Sequence, residues 1–517
     1  MPRPRKNDTT SSAKKSPSPD ILIVGAGLGG LSLACRLAKN GLRVEIYEKN
    51  PFPGGRAAQK KVKGYTIDLG PTFLLMPGEF EELFAYCGKK MSDVLPIDLL
   101  LPSYRLHYWD AQHMDVSSNL PHMLAEIARV SPRETSGFLR YLEHEYHVYE
   151  TVYQNFIAHS PTSLIDILLS GKAFSFLHAD GFHSMWDHME NFFTNPKLKL
   201  AFSFQSMYLG QSPLLTPATY SIVPYVELAQ GVWYPRKGIY SIVTEIEKLA
   251  RELGVIIHYG KKVREIVIEN NAAVGIRLEN DEIIRSATIV SDVDLPATYA
   301  KLINAQHRKK YSDAKLMKLE YTCSAFMLYL GVDQKYEQLL HHNVFFCENY
   351  LQNFHELFEQ KVLPTNPSIY VNVPSLTNPK LAPKGKHLLY VLVPVPSNDP
   401  KNAQHIDWDA EKNAFADKII EQLEKNGLTD LKKHICMKEI LTPNEWEALG
   451  GLHHGATFGL SPTFFQSSVF RPQQKSEEFK NLYFVGSSTH PGGGMPMVLI
   501  SARTCAEKIL SLFPREK

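Results

Sequence analysis

Short apolar runs and glycine-rich turns open the chain, and their order predicts a strand–helix–strand unit. Ile21–Val24 is an uninterrupted apolar run of the kind found in buried strands. Apolar residues then recur with helical spacing over residues 31–38, and Gly41 stands where that helix should end. Val44–Tyr47 is a second apolar run, closed by Glu48. This pattern predicts the opening of a doubly wound α/β sheet.

Strand patterns return in the second half of the chain and alternate there with charged helical segments. Apolar runs bounded by Asn-Asn and Asn-Asp turns predict short strands at residues 255–259, 263–268, 273–278 and 283–290. Three later runs predict strands at residues 324–332, 368–373 and 387–393. After residue 481 a strand, a glycine-rich turn and a helix follow, so the chain ends on the kind of unit with which it begins.

Residues 201–226 form an uncharged stretch long enough to resemble a membrane-spanning helix. Three prolines interrupt it, and its amides and hydroxyls are groups that a lipid-exposed helix cannot easily satisfy. We therefore expect no transmembrane helix here. The stretch is more typical of the wall of an apolar cavity, or of a surface that dips into a membrane.

Composition and charge describe an ordinary globular protein. Of its 517 residues 44% are apolar and 21% are charged, and the net charge of +2 gives no basic excess for nucleic-acid binding. The six cysteines are scattered without metal-binding spacing, which predicts reduced thiols and no metal site. The basic residues before position 20 lack a following apolar segment, so we expect a disordered arm at residues 1–19 and no secretory leader.

The first glycine cluster has the spacing of a dinucleotide-binding turn. Gly25 permits the tight turn after the first strand, Gly27 lets backbone approach a pyrophosphate, and Gly30 allows close helix packing. The following helix N-terminus offers unpaired N–H groups to phosphates. Glu48 is placed to accept hydrogen bonds from ribose hydroxyls, and its charge disfavours the 2′-phosphate of NADP. NAD and FAD share this loop, so other residues must distinguish them.

Two further glycine clusters are suited to a flavin. Gly54-Gly55-Arg56 follows Glu48 closely and resembles the extension seen in flavoproteins of the amine oxidase and phytoene desaturase type. This resemblance implies that Arg56 can meet a pyrophosphate or the flavin region. The glycines at residues 492–494 let backbone lie against a flat ring, and Pro496 is well placed to open the last helix. A helix N-terminus directed at the ring would stabilise the negative charge of a reduced flavin.

Five motifs follow one another in the order known from one group of flavoproteins. They are IDLGPT at residues 67–72, PSYR at 102–105, GVWYPRKG at 231–238, NLYFVG at 481–486 and THPGGGMP at 489–496. They resemble those of the bacterial-type carotenoid desaturases, the phytoene and diapophytoene desaturases with their oxygenase relatives. The resemblance extends from about residue 20 to residue 512. Lys237 and residues 494–499 depart from the most familiar pattern, which leaves the substrate and product open.

The resemblance implies FAD as the cofactor and leaves the catalytic side chains unassigned. The residues that it implies as FAD contacts are Gly25, Gly27, Leu28, Gly29, Gly30, Glu48, Lys49, Gly55, Arg56, Pro71, Thr72, Val263, Gly486, Gly494, Met495, Pro496 and Met497. His490 lies beside these positions, but hydride transfer to a flavin requires no basic side chain. We therefore expect His490 to serve in hydrogen bonding or packing, and His453 and His454 to be structural.

The expected fold class is α/β, with a discontinuous Rossmann-like FAD-binding domain and an inserted mixed α+β substrate domain. Three segments are predicted to build the FAD-binding domain, at residues 20–110, 226–300 and 451–517. A helical substrate- or membrane-facing region is predicted at residues 111–225 and the substrate domain at residues 301–450, after a disordered basic arm at residues 1–19.

The function that the resemblance implies is FAD-dependent desaturation of a linear carotenoid precursor. Hydride would leave an allylic C–H for flavin N5, loss of a proton would complete the double bond, and oxygen or a quinone would reoxidise the flavin. Such a substrate implies a cytoplasmic protein bound peripherally at a membrane surface. Three alternatives remain open: a terminal-methyl oxygenase that forms aldehydes, a cis–trans isomerase, and a non-enzymatic prenyl-lipid escort protein. The complete glycine clusters disfavour the escort protein.

Overall fold

The structure is a computed structural model and describes residues 18–158 and 183–513. Of the predicted basic arm, residues 1–17 lie outside the described residues. The strands are β1 (Ile21–Val24), β2 (Val44–Tyr47), β3 (Gln59–Val62), β4 (Tyr65–Asp68), β5 (Ile97–Leu99), β6 (Tyr104–His107), β7 (His113–Val116), β8 (Trp233–Pro235), β9 (Ile256–His258), β10 (Val263–Glu269), β11 (Ala272–Leu278), β12 (Ile283–Arg285), β13 (Thr288–Ser291), β14 (Ser324–Val332), β15 (His342–Phe345), β16 (Ile369–Asn372), β17 (His387–Val395), β18 (Ile435–Leu441) and β19 (Leu482–Phe484).

Helices lie between most of these strands. The α-helices are α1 (Leu28–Lys39), α2 (Pro77–Tyr86), α3 (Met91–Val94), α4 (Leu120–Val130), α5 (Thr135–Val152), α6 (Met185–Met189), α7 (Pro196–Ala201), α8 (Ile222–Ala229), α9 (Tyr240–Glu252), α10 (Leu295–Ala297), α11 (Asp313–Leu316), α12 (Tyr350–Phe354), α13 (Trp408–Lys425), α14 (Leu431–His434), α15 (Pro443–Gly450) and α16 (Met495–Leu510). A π-helical turn, Tyr153–Ile157, extends α5.

A five-stranded parallel sheet carries the predicted doubly wound unit. Its strand order is β19-β13-β1-β2-β9, so the N-terminal, middle and C-terminal segments meet in one sheet. The four residues of β1 are buried from both faces of the sheet. Ile21 and Ile23 lie in a core with α1, α9 and α16, and Leu22 and Val24 lie in a core with β10 and β11. The predicted α/β fold class is confirmed.

A second, seven-stranded sheet lies in the order β18-β14-β17-β16-β15-β6-β7. Most of its neighbours are antiparallel, but β6 runs parallel to β15. By its position in the sequence, β6 falls in the first predicted FAD-binding segment, residues 20–110. In the structure β6 belongs to the seven-stranded sheet, where it pairs with its near neighbour β7 and, across a long stretch of chain, with β15.

The predicted strand at residues 283–290 is wrong as a single element. Residues Ile283–Arg285 pair antiparallel with β11 in a three-stranded sheet. Residues Thr288–Ser291 pair parallel with β1 and β19 in the five-stranded sheet. The two halves of the segment face different partners and separate at Ser286, whose hydroxyl donates to the Asp20 carbonyl at 2.9 Å.

The uncharged stretch at residues 201–226 is folded into short helical segments. These include the end of α7, a 3₁₀ segment at Phe204–Leu209 and the first turns of α8. Most of its side chains are buried or half-buried, although Leu215 is exposed. Within residues 18–158 and 183–513, no helix combines the length and apolar character needed to cross a membrane.

Candidate functional site

A cavity of about 1400 Å³ reaches from the carboxyl end of β1 to the face formed by β14, β16 and β17. Sixteen of the seventeen residues implied as FAD contacts lie on its wall. They are Gly25, Gly27, Leu28, Gly29, Glu48, Lys49, Gly55, Arg56, Pro71, Thr72, Val263, Gly486, Gly494, Met495, Pro496 and Met497. The structure thus brings together positions that are separated by up to 472 residues, from Gly25 to Met497.

Gly30 is the exception, and it lies behind the wall. A Cβ atom on Gly30 would lie 2.6 Å from the carbonyl oxygen of Gly25, which is closer than such atoms approach. The glycine therefore permits α1 to pack directly against the preceding turn. This is the packing role expected of the third glycine in the spacing.

Glu48 anchors the glycine loop at the end of β2. Its Oε2 accepts the backbone N–H of Ala26 at 2.8 Å, and its Oε1 accepts the N–H of Asn50 at 2.8 Å. The side chain is buried, yet it reaches the cavity wall. Each carboxylate oxygen retains a second lone pair, which a ribose hydroxyl can use. Glu48 thus supports the loop conformation, and its contact with a ligand stays a prediction.

The Gly54-Gly55-Arg56 turn lies beside the first glycine loop. The N–H of Gly54 donates to the Ala26 carbonyl at 2.8 Å, and both glycines have positive φ. Arg56 forms an ion pair with Asp294 and a hydrogen bond with Ser487. Its Nε–H is buried and has no hydrogen-bond partner among the described residues. An anionic group in the cavity would supply that missing acceptor.

The C-terminal glycine cluster leads directly into a helix whose N-terminus lies at the cavity wall. α16 begins at Met495, directly after Gly494, and Pro496 occupies its first turn as predicted. Gly494 has φ +105°, a backbone conformation that residues with side chains rarely adopt. The unpaired N–H groups of the first turn thus lie at the wall, where developing negative charge on a ligand is stabilised.

Hydrogen bonds fix the segment at residues 69–72 onto the seven-stranded sheet. Tyr329 donates to the Leu69 carbonyl at 2.7 Å, and Tyr390 donates to the Gly70 carbonyl at 2.5 Å. The Thr72 hydroxyl lies 2.7 Å from the Tyr370 hydroxyl, which lies 2.8 Å from Nδ1 of His342. Tyrosines that the motif alone did not reveal therefore hold the segment predicted to contact FAD through Pro71 and Thr72.

Lys49 and Val263 lie near Glu48 on the wall. The Lys49 ammonium donates to the Ala448 carbonyl at 2.6 Å, and burial lowers the pKa of this amine. Val263 begins β10 and adds an apolar surface. Both residues reach the cavity from the side of β2 and β9.

Much of the remaining wall is apolar and aromatic. Residues from the uncharged stretch contribute a large share of it, as expected for a cavity lining: Phe204, Met207, Tyr208, Leu209, Pro217, Thr219, Tyr220, Ile222, Val223 and Val226. Opposite strands add Met327, Ile369 and Leu392. The ten residues from the uncharged stretch agree with the expected cavity lining, and a membrane-facing surface in the rest of residues 201–226 stays a prediction.

Several polar residues at this site were not expected from the sequence, and four of them lie near the glycine clusters. Asp292 and Asp294 follow β13, and Ser487 follows Gly486. Arg471 is buried and donates to the carbonyls of Ser487 at 2.7 Å and Thr489 at 3.3 Å. The two acidic residues follow a buried parallel strand, where α/β sheets place ligand contacts, and that position was a usable signal.

The three histidines considered from the sequence differ in position. His490 is buried on the cavity wall, and its Nε2–H donates to the Phe156 carbonyl at 2.7 Å. Burial lowers the pKa of His490 to about 4, so the ring is neutral near pH 7. His453 and His454 lie off the wall and pack on Tyr321. A structural role for both histidines stays a prediction.

A potential metal-ligand cluster lies away from the glycine loops. The ligand atoms of His144, Glu145 and His188 all lie within 4.8 Å of one another. Glu145 already bonds Nε2 of His188 at 2.7 Å and accepts the Ser221 hydroxyl at 2.7 Å. These hydrogen bonds join α5 to α6 and to the segment before α8. Sequence spacing gave no sign of this grouping, because 43 residues separate Glu145 from His188.

Comparisons with known proteins agree with this geometry. The family model for flavin containing amine oxidoreductases matches residues 28–510. A zeta-carotene-forming phytoene desaturase from Myxococcus xanthus is 39% identical over 492 residues, 95% of this chain and 94% of that protein. A 4,4′-diapolycopene-forming 4,4′-diapophytoene desaturase from Methylomonas is 36% identical with the same coverage.

A solved structure shows the same fold. An oxidoreductase from Methanosarcina mazei matches with a TM-score of 0.63 at 18% identity, covering 94% of this chain and 99% of that chain. The family match and the curated relatives confirm the predicted cofactor and enzyme class. The chain belongs to the flavin containing amine oxidoreductase family, among the phytoene and diapophytoene desaturases, and is an FAD-dependent oxidoreductase.

Proposed function

We propose that this protein desaturates a linear carotenoid precursor. The observation that carries the proposal is one continuous cavity with glycine loops at one end and an apolar, aromatic wall at the other. Its volume of about 1400 Å³ exceeds the roughly 300–1,000 Å³ of ordinary small-molecule pockets. A cofactor and a long hydrocarbon both need room, and relatives named as phytoene and diapophytoene desaturases support this function.

The apolar end suits a substrate without charge. Burial raises the pKa of Tyr208, Tyr370 and Tyr390, and it lowers the pKa of His490 to about 4. These side chains are therefore neutral near pH 7. A hydrocarbon chain can lie against them without leaving an ionised group unsolvated.

The residues of the glycine loops would hold the cofactor and orient its ring. Glu48 would receive the ribose hydroxyls, and Arg56 and the N-terminus of α1 would face the phosphates. The N-terminus of α16 would face the ring. When bound, FAD supplies the hydride acceptor that desaturation requires. The wall formed by Phe204 and Tyr208 excludes water from the substrate.

Membrane association belongs to the proposal, and an exposed aromatic cluster supports it. Phe464, Phe465 and Phe470 contact one another with ring centroids 5.1–5.9 Å apart. Phe464 and Phe470 lie on the cavity wall, while Phe465 is 75% exposed and Phe470 41% exposed. Exposed aromatic residues beside an apolar cavity are suited to a lipid surface from which a polyene enters. Reoxidation would use oxygen or a quinone.

Two alternatives share the cavity and the cofactor. A terminal-methyl oxygenase would add oxygen at a chain end, and an isomerase would leave the substrate mass unchanged. The test is expression in one host that makes phytoene and in a second that makes diapophytoene, with pigments identified by absorption and mass. New polyenes with fewer hydrogens support the proposal and reveal the preferred chain length. Unaltered precursor in both hosts contradicts it.

A further inference from the structure

The carboxyl group of Asp292 is surrounded by glycines. A Cβ atom built on Gly27 would lie 2.5 Å from its Oδ2, and one on Gly29 would lie 2.6 Å from its Oδ1. Cβ atoms on three other glycines would also approach this side chain: Gly25 at 3.4 Å, Gly30 at 3.0 Å and Gly486 at 3.1 Å. The glycine loop and the C-terminal motif therefore leave space for one carboxyl group as well as for a ligand.

Strand pairing fixes the position of Asp292. It follows β13, and its backbone N–H donates to the Val24 carbonyl at 2.9 Å. The side chain therefore lies at the carboxyl end of β1, below the first turn of α1. Backbone N–H groups of Gly27 and Gly30 point toward it. This is the end of the helix at which a phosphate is expected to bind.

Charged groups from two neighbouring segments also face Asp292. Glu48, at the end of β2, opposes a negative charge there, and Arg56, in the adjacent turn, favours one. The first turn of α1 contains no acidic residue, and Ser487 beyond β19 is uncharged. Burial is the largest influence and raises the pKa of Asp292 to about 8. The neutral acid therefore predominates near pH 7.

We propose that Asp292 is a positioning residue of the cofactor site that supports the glycine loop as a neutral acid. As an acid it fills the space between the glycines without adding a negative charge beside the pyrophosphate. When it ionises, a carboxylate adjoins an anionic ligand at the same helix N-terminus, and the two repel. The inference rests on the assignment of FAD as the cofactor. It adds that FAD binds well only while Asp292 is protonated.

The consequence is a link between proton binding and FAD affinity. Only the protonated site accepts FAD well, so the dissociation constant should rise above the pKa of Asp292 by up to tenfold per pH unit. Asp292→Asn keeps the shape and the neutral state at every pH. This variant should bind FAD with a dissociation constant that changes little over the same range.

The experiment is a fluorescence titration of flavin-free full-length protein with FAD, from about pH 6 to about pH 9. We expect a dissociation constant that rises above about pH 8 in the wild type and stays nearly level in Asp292→Asn. Equal pH dependence in both proteins overturns the role of Asp292. Tight FAD binding by the wild type with no pH dependence also overturns that role and leaves the proposed function standing. Absence of FAD binding at every pH overturns both.

A second measurement needs no variant. Calorimetry of FAD binding to the wild type near pH 8.5, in two buffers with different heats of ionisation, counts the protons taken up. We expect uptake of more than half a proton per FAD. Binding without proton uptake overturns the role of Asp292, even where Asp292→Asn fails to fold.

Discussion

The imidazole of His490 joins the C-terminal glycine motif to the Phe156 carbonyl through a hydrogen bond of 2.7 Å. Phe156 lies in the π-helical turn that extends α5, so this bond connects the predicted flavin-facing segment with the wall of the apolar cavity. Since a carbonyl oxygen can only accept, Nε2 carries the proton and Nδ1 bears a lone pair. His490 is thus a neutral link between the two ends of the cavity.

Removal of this link should cost stability. His490→Ala leaves the buried Phe156 carbonyl without its donor and opens a cavity, at a cost of about 1–3 kcal/mol in the free energy of unfolding. His490→Gln can still donate an N–H and should lose less. Thermal unfolding of both variants checks the order. Equal losses would show that the hydrogen bond contributes little.

Glu48 should contribute to FAD affinity through two functions. Glu48→Ala removes the acceptor for ribose hydroxyls and for the Ala26 N–H, and we expect FAD binding to weaken by about 1.5–3 kcal/mol. Glu48→Gln keeps one oxygen acceptor and should lose less. Titration with FAD measures both. Unchanged affinity in Glu48→Ala would contradict the assignment of Glu48.

Glu227 should make stability depend on pH. It is buried, accepts from Tyr104 at 2.9 Å and from Gln205 at 3.3 Å, and burial raises its pKa to about 7. Between about pH 4.5 and about pH 7 the folded state keeps a proton that the unfolded state has lost. The buried carboxyl group of Glu227 therefore lowers the free energy of unfolding progressively as the pH rises across that window. Above about pH 7 this destabilisation no longer changes with pH.

Glu227→Gln removes that cost because the amide never ionises. We compare the free energy of unfolding of the variant with that of the wild type. The difference between them should shift in favour of the variant by about 2–4 kcal/mol from pH 5 to pH 8. Chemical unfolding at both pH values measures the difference, and Glu421→Gln, at an exposed helical position, is the control. A difference between Glu227→Gln and wild type that does not change with pH would show that Glu227 ionises normally.

The sequence predicted those features of the fold and site that depend on local spacing. Val44–Tyr47 and Ser324–Val332 were located correctly because apolar runs bounded by turns define such strands. The split of residues 283–290 and the pairing of β6 with β15 depend on partners distant in the chain, which no local pattern contains. The position of Asp292 after a buried strand was a usable local signal, but its closeness to five glycines on other segments depends on the folded chain.

The aromatic cluster predicts how the protein meets a membrane. Phe465→Ser combined with Phe470→Ser removes exposed apolar area, and each Phe contributes about 1.5–3 kcal/mol when fully buried. We expect the double variant to pellet with liposomes at least tenfold more weakly than the wild type. Ile256→Ser, which alters a residue that is 53% exposed and lies away from the cavity, should bind like the wild type. An equal loss of liposome binding in both variants would mean that the aromatic cluster has no special role in membrane binding.

The most direct test of the desaturase proposal is the mass of the product formed by the purified, FAD-loaded protein. With phytoene or diapophytoene in liposomes and oxygen or a quinone present, we predict products lighter by two hydrogens per step, with absorption at longer wavelength. When every acceptor is withheld, turnover should stop once the bound flavin is reduced. A product of unchanged mass, or one that gains oxygen without a new double bond, would contradict desaturation.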